Sequence, residues 1–222
     1  MAGANRKLLD VYNTLQAAYG PQHWWPGDSA FEIIAGAILT QSAAWTNAEK
    51  ALNNLKAKAA LSPEGIDELP EPELASLVRP SGYYNAKARK LKAFVTLLDR
   101  RYGGDLEAML ASPPSELREA LLATHGIGPE TADSIMLYAA GRPVFVIDAY
   151  TRRTFSRMGF VPERDTYDGW QSLFVESLPP SAPLFNEYHA LIVRLGKGAC
   201  RKQPLCRDCP LSSICRVGAA AV

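Results

Sequence analysis

The sequence predicts an all-α protein, because helical periodicity dominates it and strand patterns are nearly absent. Apolar residues recur at steps of three, four and seven between residues 31 and 55, as they do on the buried face of an amphipathic helix. The one persuasive strand-like run is Pro-Val-Phe-Val-Ile at 143–147. A single short apolar run among many helical segments indicates an extended connector rather than a sheet.

Polar residues and prolines mark where individual helices begin. Ser29 and Glu32 have the spacing of a capping box, ahead of one long helix or two helices in close succession. Ser62 and Pro63 form a second N-cap, with proline at the first helical position. The Ser-Pro-Pro sequence at 112–114 precedes another helix.

Composition describes an ordinary globular chain of 222 residues, with 47% hydrophobic residues and a formal net charge of +1. The N-terminus lacks the apolar core of a signal peptide, and no stretch approaches the roughly 20 apolar residues that span a bilayer. We therefore expect a cytoplasmic protein without a membrane partner. Basic residues are concentrated after residue 193, where Asp208 is the single acid: Arg194, Lys197, Arg201, Lys202, Arg207 and Arg216.

All four cysteines lie in one C-x5-C-x2-C-x5-C run: Cys200, Cys206, Cys209 and Cys215. Four thiolates from one short loop-rich segment can hold a tetrahedral zinc ion or a cubane [4Fe-4S] cluster, and ligand type alone does not separate the two. Two disulfides or four buried thiols are the alternatives without a metal. A reducing compartment argues against the disulfides, so a metal site is favoured.

A tight link joins two predicted helices, 115–123 and 129–140. Gly126 and Gly128 allow unusual backbone dihedrals and a close approach to another surface. Pro129 at the first helical position leaves neighbouring amides pointing outward, as at phosphate-binding helix N-termini. By itself, the pattern also fits a plain helix–helix turn.

Three motifs follow one another along the chain: the hairpin at 125–132, the Val-Ile-Asp sequence at 146–148, and the four-cysteine loop. Together they resemble the helix-hairpin-helix DNA glycosylases of the endonuclease III superfamily. The resemblance implies a two-lobed fold with a six-helix barrel domain at 28–141 and a helical iron–sulfur cluster domain at 1–27 and 142–222. It also implies a monomer that acts on double-stranded DNA containing a damaged base, nucleoid-associated if prokaryotic.

In that superfamily a C-terminal four-cysteine loop holds a [4Fe-4S] cluster, so the resemblance favours iron–sulfur over zinc. The spacing departs from the usual one, because Cys200 and Cys206 are separated by five residues rather than six. The adjacent Arg201 and Lys202 would contact DNA phosphates.

Two earlier loops resemble the superfamily's DNA-probing loops. Gln41 matches a glutamine that enters the stack where the target base has left, and Tyr83 lies in the second loop. Filling that space is needed because base extraction costs on the order of a few kcal/mol of stacking and pairing. A solvated helix position for Gln41 and a core position for Tyr83 are the alternatives. The expected DNA-binding residues are Gln41, Tyr83, Gly126, Ile127, Gly128, Arg201 and Lys202.

Asp148 matches the carboxylate common to these glycosylases. Cleavage of an N-glycosidic bond develops positive charge on the sugar, which a carboxylate can stabilise while it positions or deprotonates water. An Asp before a helix is also a natural N-cap. Glu130 stands where bifunctional members carry a Schiff-base lysine, and a carboxylate has no amine nucleophile. The resemblance thus implies a monofunctional enzyme with Asp148 and Glu130 at its catalytic site, although Glu130 equally suits a first helical turn.

Trp24, Trp25 and Trp45 lie near the base pocket that the resemblance implies. Indole faces favour cationic alkylpurines by roughly 0.5–2 kcal/mol. These tryptophans and Glu130 resemble the 3-methyladenine DNA glycosylase III branch, so we expect an alkylated purine as substrate. Two alternatives stay open: a glycosylase for oxidised, deaminated or mismatched bases, and a DNA-binding homologue without catalysis.

Overall fold

The computed structural model describes residues 2–220, with side chains from residue 6 onward, and its regular structure is helical. No β-strand occurs within that range, as the sequence predicts. In chain order the α-helices are α1 (Ala2–Tyr19), α2 (Ala30–Leu39), α3 (Trp45–Ala57), α4 (Pro63–Glu68), α5 (Glu71–Leu77), α6 (Tyr84–Tyr102), α7 (Leu106–Ala111), α8 (Pro114–Leu122), α9 (Pro129–Ser134), α10 (Ala149–Met158), α11 (Tyr167–Val175), α12 (Ala182–Lys197) and α13 (Arg216–Ala219).

The chain forms two compact units. One runs from Trp25 to Arg142, and the other combines the N-terminal segment up to Trp24 with the segment from Pro143 onward. The divisions therefore fall after residues 24 and 142, where the sequence suggested 27 and 141. Among residues 2–220, none of the helices combines the length and the apolar character needed to cross a bilayer.

Helix α2 is the buried centre of the Trp25–Arg142 unit, because it is apolar on nearly all sides and packs against α3 and α6. Its N-cap is the predicted one, since Ser29 Oγ accepts a hydrogen bond from the Glu32 amide at 3.2 Å. The Glu32 carboxylate, however, accepts from the Asp28 amide at 3.0 Å and pairs with Lys56 at 2.8 Å. The capping box is thus half formed, and the region from 30 to 57 is two helices rather than one.

The helix after the hairpin does not continue as an α-helix to residue 140, contrary to the sequence-based expectation. Helix α9 ends at Ser134, and Ile135–Ala139 form a π-helical turn, in which the Ala140 amide donates to the Ile135 carbonyl at 3.1 Å. Four consecutive side chains of this turn, from Ile135 to Tyr138, are buried. A wider turn changes the direction of each side chain and often occurs near functional sites.

Aromatic side chains fill the core of the unit formed by the two termini. Phe145, from the extended run at 143–147, stacks on Phe174 with ring centroids 4.1 Å apart. Side chains of α11 satisfy the main chain of this run: Gln171 Nε2 donates to the Phe145 carbonyl at 2.8 Å, and the Tyr167 hydroxyl accepts from the Ile147 amide at 3.3 Å. These bonds from α11 satisfy two main-chain groups of a segment that is neither helix nor strand.

Candidate functional site

Asp148 joins the extended run to α10 in the unit formed by the termini. Its Oδ1 accepts a hydrogen bond from the Thr151 amide at 2.7 Å, so it is the N-cap of that helix. Its Oδ2 lies 3.5 Å from Nε2 of His189 on α12, and the carboxylate side chain is only 12% exposed. One carboxylate oxygen therefore caps α10, and the other faces the buried imidazole of His189.

The surroundings of Asp148 favour its charged form. Burial raises the pKa of this carboxyl, but His189 and the Thr151 amide together lower it further, so the pKa lies below its usual value. An ionised carboxylate is what stabilisation of a cationic sugar requires. His189 was not anticipated, because a single histidine in the apolar run of α12 carries no spacing signal that connects it with residue 148.

The hairpin between α8 and α9 is anchored on one side and open on the other. Gly126 has φ of +80°, and a Cβ there would come within 2.5 Å of the Lys90 side chain, so both conformation and space require glycine. Ile127 is 4% exposed, and its amide donates to the Thr124 carbonyl at 3.1 Å. A Cβ on Gly128 would meet no atom within 4 Å. The hairpin thus presents open backbone at the N-terminal end of α9, while the Ile127 side chain packs inside.

Gln41 follows the end of α2 and reaches the hairpin. Its Nε2 donates to the Gly126 carbonyl at 3.1 Å and to Thr131 Oγ1 at 2.9 Å. Its Oε1 accepts a hydrogen bond from Nζ of Lys90 on α6. Gln41 is therefore half-buried and held by three partners in this conformation, and it does not lie on a solvated helix face.

Tyr83 is 76% exposed and immediately precedes α6. Its backbone is left-handed, with φ of 46° and ψ of 33°, which is uncommon for a residue other than glycine. Strained backbone of this kind tends to occur at functional positions. The exposure excludes the alternative of a core aromatic.

Three aromatic side chains meet in the Trp25–Arg142 unit. The Trp25 ring lies 5.2 Å from the Trp45 ring at an interplanar angle of 87°, and 5.2 Å from the Tyr138 ring at 44°. Gly36 on α2 makes room for Trp25, since a Cβ there would lie 3.1 Å from the indole. Trp24 belongs to the other unit. Tyr138 comes from the π-helical turn, which the periodicity did not predict.

Glu130 is exposed in the first turn of α9. A carboxylate at this end of a helix interacts favourably with the helix dipole. The side chain offers proton transfer or charge stabilisation, but it has no amine with which to attack a sugar.

The four cysteines are free thiols around one small cavity in the C-terminal loop. Arg157 on α10 lines the same cavity and donates to Cys200 Sγ at 3.3 Å. Burial raises the pKa of the Cys209 thiol, and charge on the other three cysteines raises it further, so the sulfurs are electrostatic neighbours.

Within residues 2–220, no set of three or more His, Cys, Asp or Glu side chains has the geometry for a single metal ion. Four thiols that line one cavity are the donor set of a four-cysteine cluster or of a zinc site, and ligand type alone does not separate the two. Arg201 and Lys202 are exposed beside this cavity, and their carbonyls accept hydrogen bonds from Arg157 at 2.5 and 2.7 Å.

Sequence comparison identifies relatives over nearly the whole chain. The family model described as HhH-GPD superfamily base excision DNA repair protein matches residues 35–180. A putative DNA repair glycosylase of Methanocaldococcus jannaschii is 44% identical, over 94% of this chain and 95% of that protein. Endonuclease III of Thermotoga maritima is 27% identical, over 83% of this chain and 82% of that protein.

Solved structures of DNA glycosylases are also similar to this chain. A 3-methyladenine DNA glycosylase of H. pylori bound to 1,N6-ethenoadenine is 28% identical with a TM-score of 0.75, covering 86% of this chain and 97% of that one. A trapped endonuclease III–DNA covalent intermediate has a TM-score of 0.84 at 22% identity and covers 98% of both chains, which shows the shared fold. Since the family model spans more than half of the sequence and a relative is 44% identical, the chain belongs to the HhH-GPD superfamily of base excision DNA repair glycosylases.

Proposed function

We propose that this protein is a monofunctional DNA glycosylase that hydrolyses the N-glycosidic bond of a flipped alkylated purine, such as 3-methyladenine, in double-stranded DNA. The observation that carries the proposal is the buried Asp148 carboxylate, whose pKa is held below its usual value. An enzyme that breaks a bond to a cationic sugar needs such a charge in a site of low polarity.

The reaction uses water as its nucleophile. As the bond between sugar C1′ and the base nitrogen breaks, the bonding electron pair leaves with the base and positive charge develops on the sugar. Asp148 stabilises that charge, orients a water molecule toward C1′ and takes the proton that the water loses. The products are the free base and an intact strand with an abasic site.

Glu130 supports the absence of strand cleavage. A lyase needs an amine to form a Schiff base with C1′, and the side chain at this position of α9 is a carboxylate. Glu130 then serves as a polar group beside the hairpin, where its charge suits the N-terminus of the helix.

The aromatic side chains support a cationic purine as the substrate. Trp25, Trp45 and Tyr138 lie in contact, and an aromatic face of this group would attract a base alkylated at N3 or N7 by roughly 0.5–2 kcal/mol more than a neutral one. Such a base is also a good leaving group, so little acid catalysis is required. The similarity to the H. pylori 3-methyladenine DNA glycosylase supports the same class.

A second candidate is an endonuclease III-like glycosylase for oxidised or mismatched pyrimidines. The four-cysteine loop and the similarity to endonuclease III of Thermotoga maritima favour it. The cluster of Trp25, Trp45 and Tyr138 favours the alkylpurine glycosylase instead, because pyrimidine edges are recognised by hydrogen bonds rather than by indole faces alone.

We further propose that Cys200, Cys206, Cys209 and Cys215 hold a [4Fe-4S] cluster. Such a cluster would fix the loop from 200 to 215 and keep Arg201 and Lys202 exposed for DNA phosphates. Tyr83 and Gln41 would fill the gap left by the flipped base, and the open amides before α9 would bind the backbone.

A base-release assay on a lesion panel tests the proposal. Methylated DNA and duplexes with single thymine glycol, uracil or 8-oxoguanine lesions are incubated with excess protein, and the released bases are separated by chromatography. The proposal expects 3-methyladenine to be released fastest, and Asp148→Asn to bind the DNA but release little. Preferred release of thymine glycol would instead establish the second candidate.

A further inference from the structure

Lys87 is a fully buried lysine whose hydrogen bonds go to two separate loops. It lies in the first turn of α6 and is 2% exposed. Its Nζ donates to the Leu39 carbonyl at 2.8 Å and to the Ser81 carbonyl at 2.6 Å. Leu39 precedes Gln41 by two residues, and Ser81 precedes Tyr83 by two. One ammonium group therefore links the main chain just before Gln41 to the main chain just before Tyr83.

Each of these acceptors suits a positive charge. The Leu39 carbonyl is at the C-terminus of α2, where main-chain oxygens lack helical partners and the helix dipole is negative. The Ser81 carbonyl ends a 3-10 turn before the left-handed Tyr83. Both acceptors are main-chain oxygens, so the charge is satisfied by backbone groups of the loops themselves rather than by a carboxylate.

Burying an ammonium group costs free energy that an apolar side chain of similar size would not. Burial and the nearby Lys90 lower the pKa of Lys87 to about 8. The group thus remains mostly protonated at neutral pH despite this cost. A residue that only filled space in the core would not require the charge.

Lys90, one turn later on α6, extends the connection to the hairpin. It donates to Gln41 Oε1, and its side chain passes beneath Gly126. Residues 40–44, between α2 and α3, form the Gln41 loop, and residues 79–83, before α6, form the Tyr83 turn. Two lysines on one face of α6 therefore hold this loop, this turn and the hairpin through direct contacts.

We propose that Lys87 is a positioning residue that fixes the Gln41 loop and the Tyr83 turn relative to each other, so that both side chains fill one gap in the DNA stack together. This inference rests on the DNA-probing roles proposed for Gln41 and Tyr83. Without the bridge each loop moves independently, and the protein loses its preference for DNA with a vacant stacking position.

The test measures binding and needs no base release, so its outcome is separate from that of the lesion panel. Affinities are measured for a duplex with a stable tetrahydrofuran abasic analogue and for the undamaged duplex. Lys87→Met keeps the length and removes the charge, and Lys87→Gln is a second variant in case the first does not fold. Lys92→Met is the matched control, because Lys92 on the same helix also donates to a main-chain carbonyl, that of Asp67, away from both loops.

We expect the ratio of the two affinities to fall about tenfold or more in the folded Lys87 variants, since two charge-assisted hydrogen bonds are lost. Affinity for undamaged DNA and the behaviour of Lys92→Met should stay within about twofold of the unsubstituted protein. An unchanged ratio in folded Lys87→Met, or in Lys87→Gln where the Met variant does not fold, would overturn the proposal, as would an equal loss of both affinities. A protein that shows no preference for the abasic duplex before substitution would also overturn it.

Discussion

Nε2 of His189 lies 3.5 Å from Oδ2 of Asp148, and both side chains are almost completely buried. The imidazole comes from the middle of α12, whereas the carboxylate begins α10, so the packing of these two helices sets the distance. This pair explains how a carboxylate that burial alone would protonate more readily keeps a pKa below its usual value. The structure thereby provides a charged group in surroundings that exclude most water.

The pair predicts a change in pH dependence. Replacing His189 by Gln removes one of the interactions that lower the pKa of Asp148, while burial still raises it, so the acid limb of the single-turnover rate should move to higher pH. His23→Asn, at an exposed histidine with left-handed backbone, is the matched control. An unchanged pH profile in His189→Gln would mean that Asp148 stays ionised without this partner.

The lowered pKa of Asp148 should also make the stability of the protein depend on pH. Because the pKa of Asp148 is lower in the folded protein than its usual value, the carboxylate stabilises the fold above about pH 4. That contribution is lost as the pH falls through the folded-state pKa. The free energy of unfolding can be measured in denaturant from pH 7 to acid pH. It should fall less with decreasing pH for Asp148→Asn than for the unsubstituted protein.

Trp25 should set the preference for cationic bases. Trp25→Ala removes the ring that contacts both Trp45 and Tyr138, and base stacking is worth roughly 1–3 kcal/mol, so release of 3-methyladenine should slow about tenfold or more. The decisive quantity is the rate ratio of 3-methyladenine to the neutral 1,N6-ethenoadenine, because general destabilisation affects both substrates. Trp25→Phe keeps an aromatic face and should retain most of this rate ratio. An unchanged ratio in Trp25→Ala would mean that other residues recognise the charge of the base.

The cysteine loop should carry iron and sulfide. Protein purified without oxygen should be yellow-brown, with about four irons per chain, and Cys206→Ser should lose most of the iron. Ser213→Ala, at an exposed serine of the same loop, should keep it. Colourless protein with about one equivalent of zinc would contradict the cluster assignment.

Local patterns were sufficient to predict part of this molecule. The all-α class, the N-cap at Ser29 and a connector rather than a sheet strand at 143–147 follow from periodicity and capping chemistry, and the structure confirms them. The family assignment from the order of the hairpin, Asp148 and the cysteines is also confirmed.

Tertiary contacts account for what the sequence did not reveal. The π-helical turn at Ile135–Ala139 packs against α2, and helical periodicity does not encode this contact. His189 lies close to an acceptor distant in the chain, and so does Lys87 through the Leu39 carbonyl, so neither has a spacing that identifies this partner. His189 in the apolar run of α12 was an available signal, but it does not say what the imidazole contacts. Lys87 stands among other basic residues of α6 and gave no such signal.

Hydrolysis by a water molecule that a charged Asp148 holds, without attack by any amine of the protein, can be checked in one experiment. A single-turnover reaction on a duplex with one alkylated purine is divided into three portions, which receive alkali, no treatment or borohydride. We expect release of the base, strand breaks only after alkali, no protein–DNA adduct with borohydride, and a loss of at least about a hundredfold in rate for Asp148→Asn with DNA affinity retained. Efficient borohydride trapping, or full activity of Asp148→Asn, would exclude this mechanism.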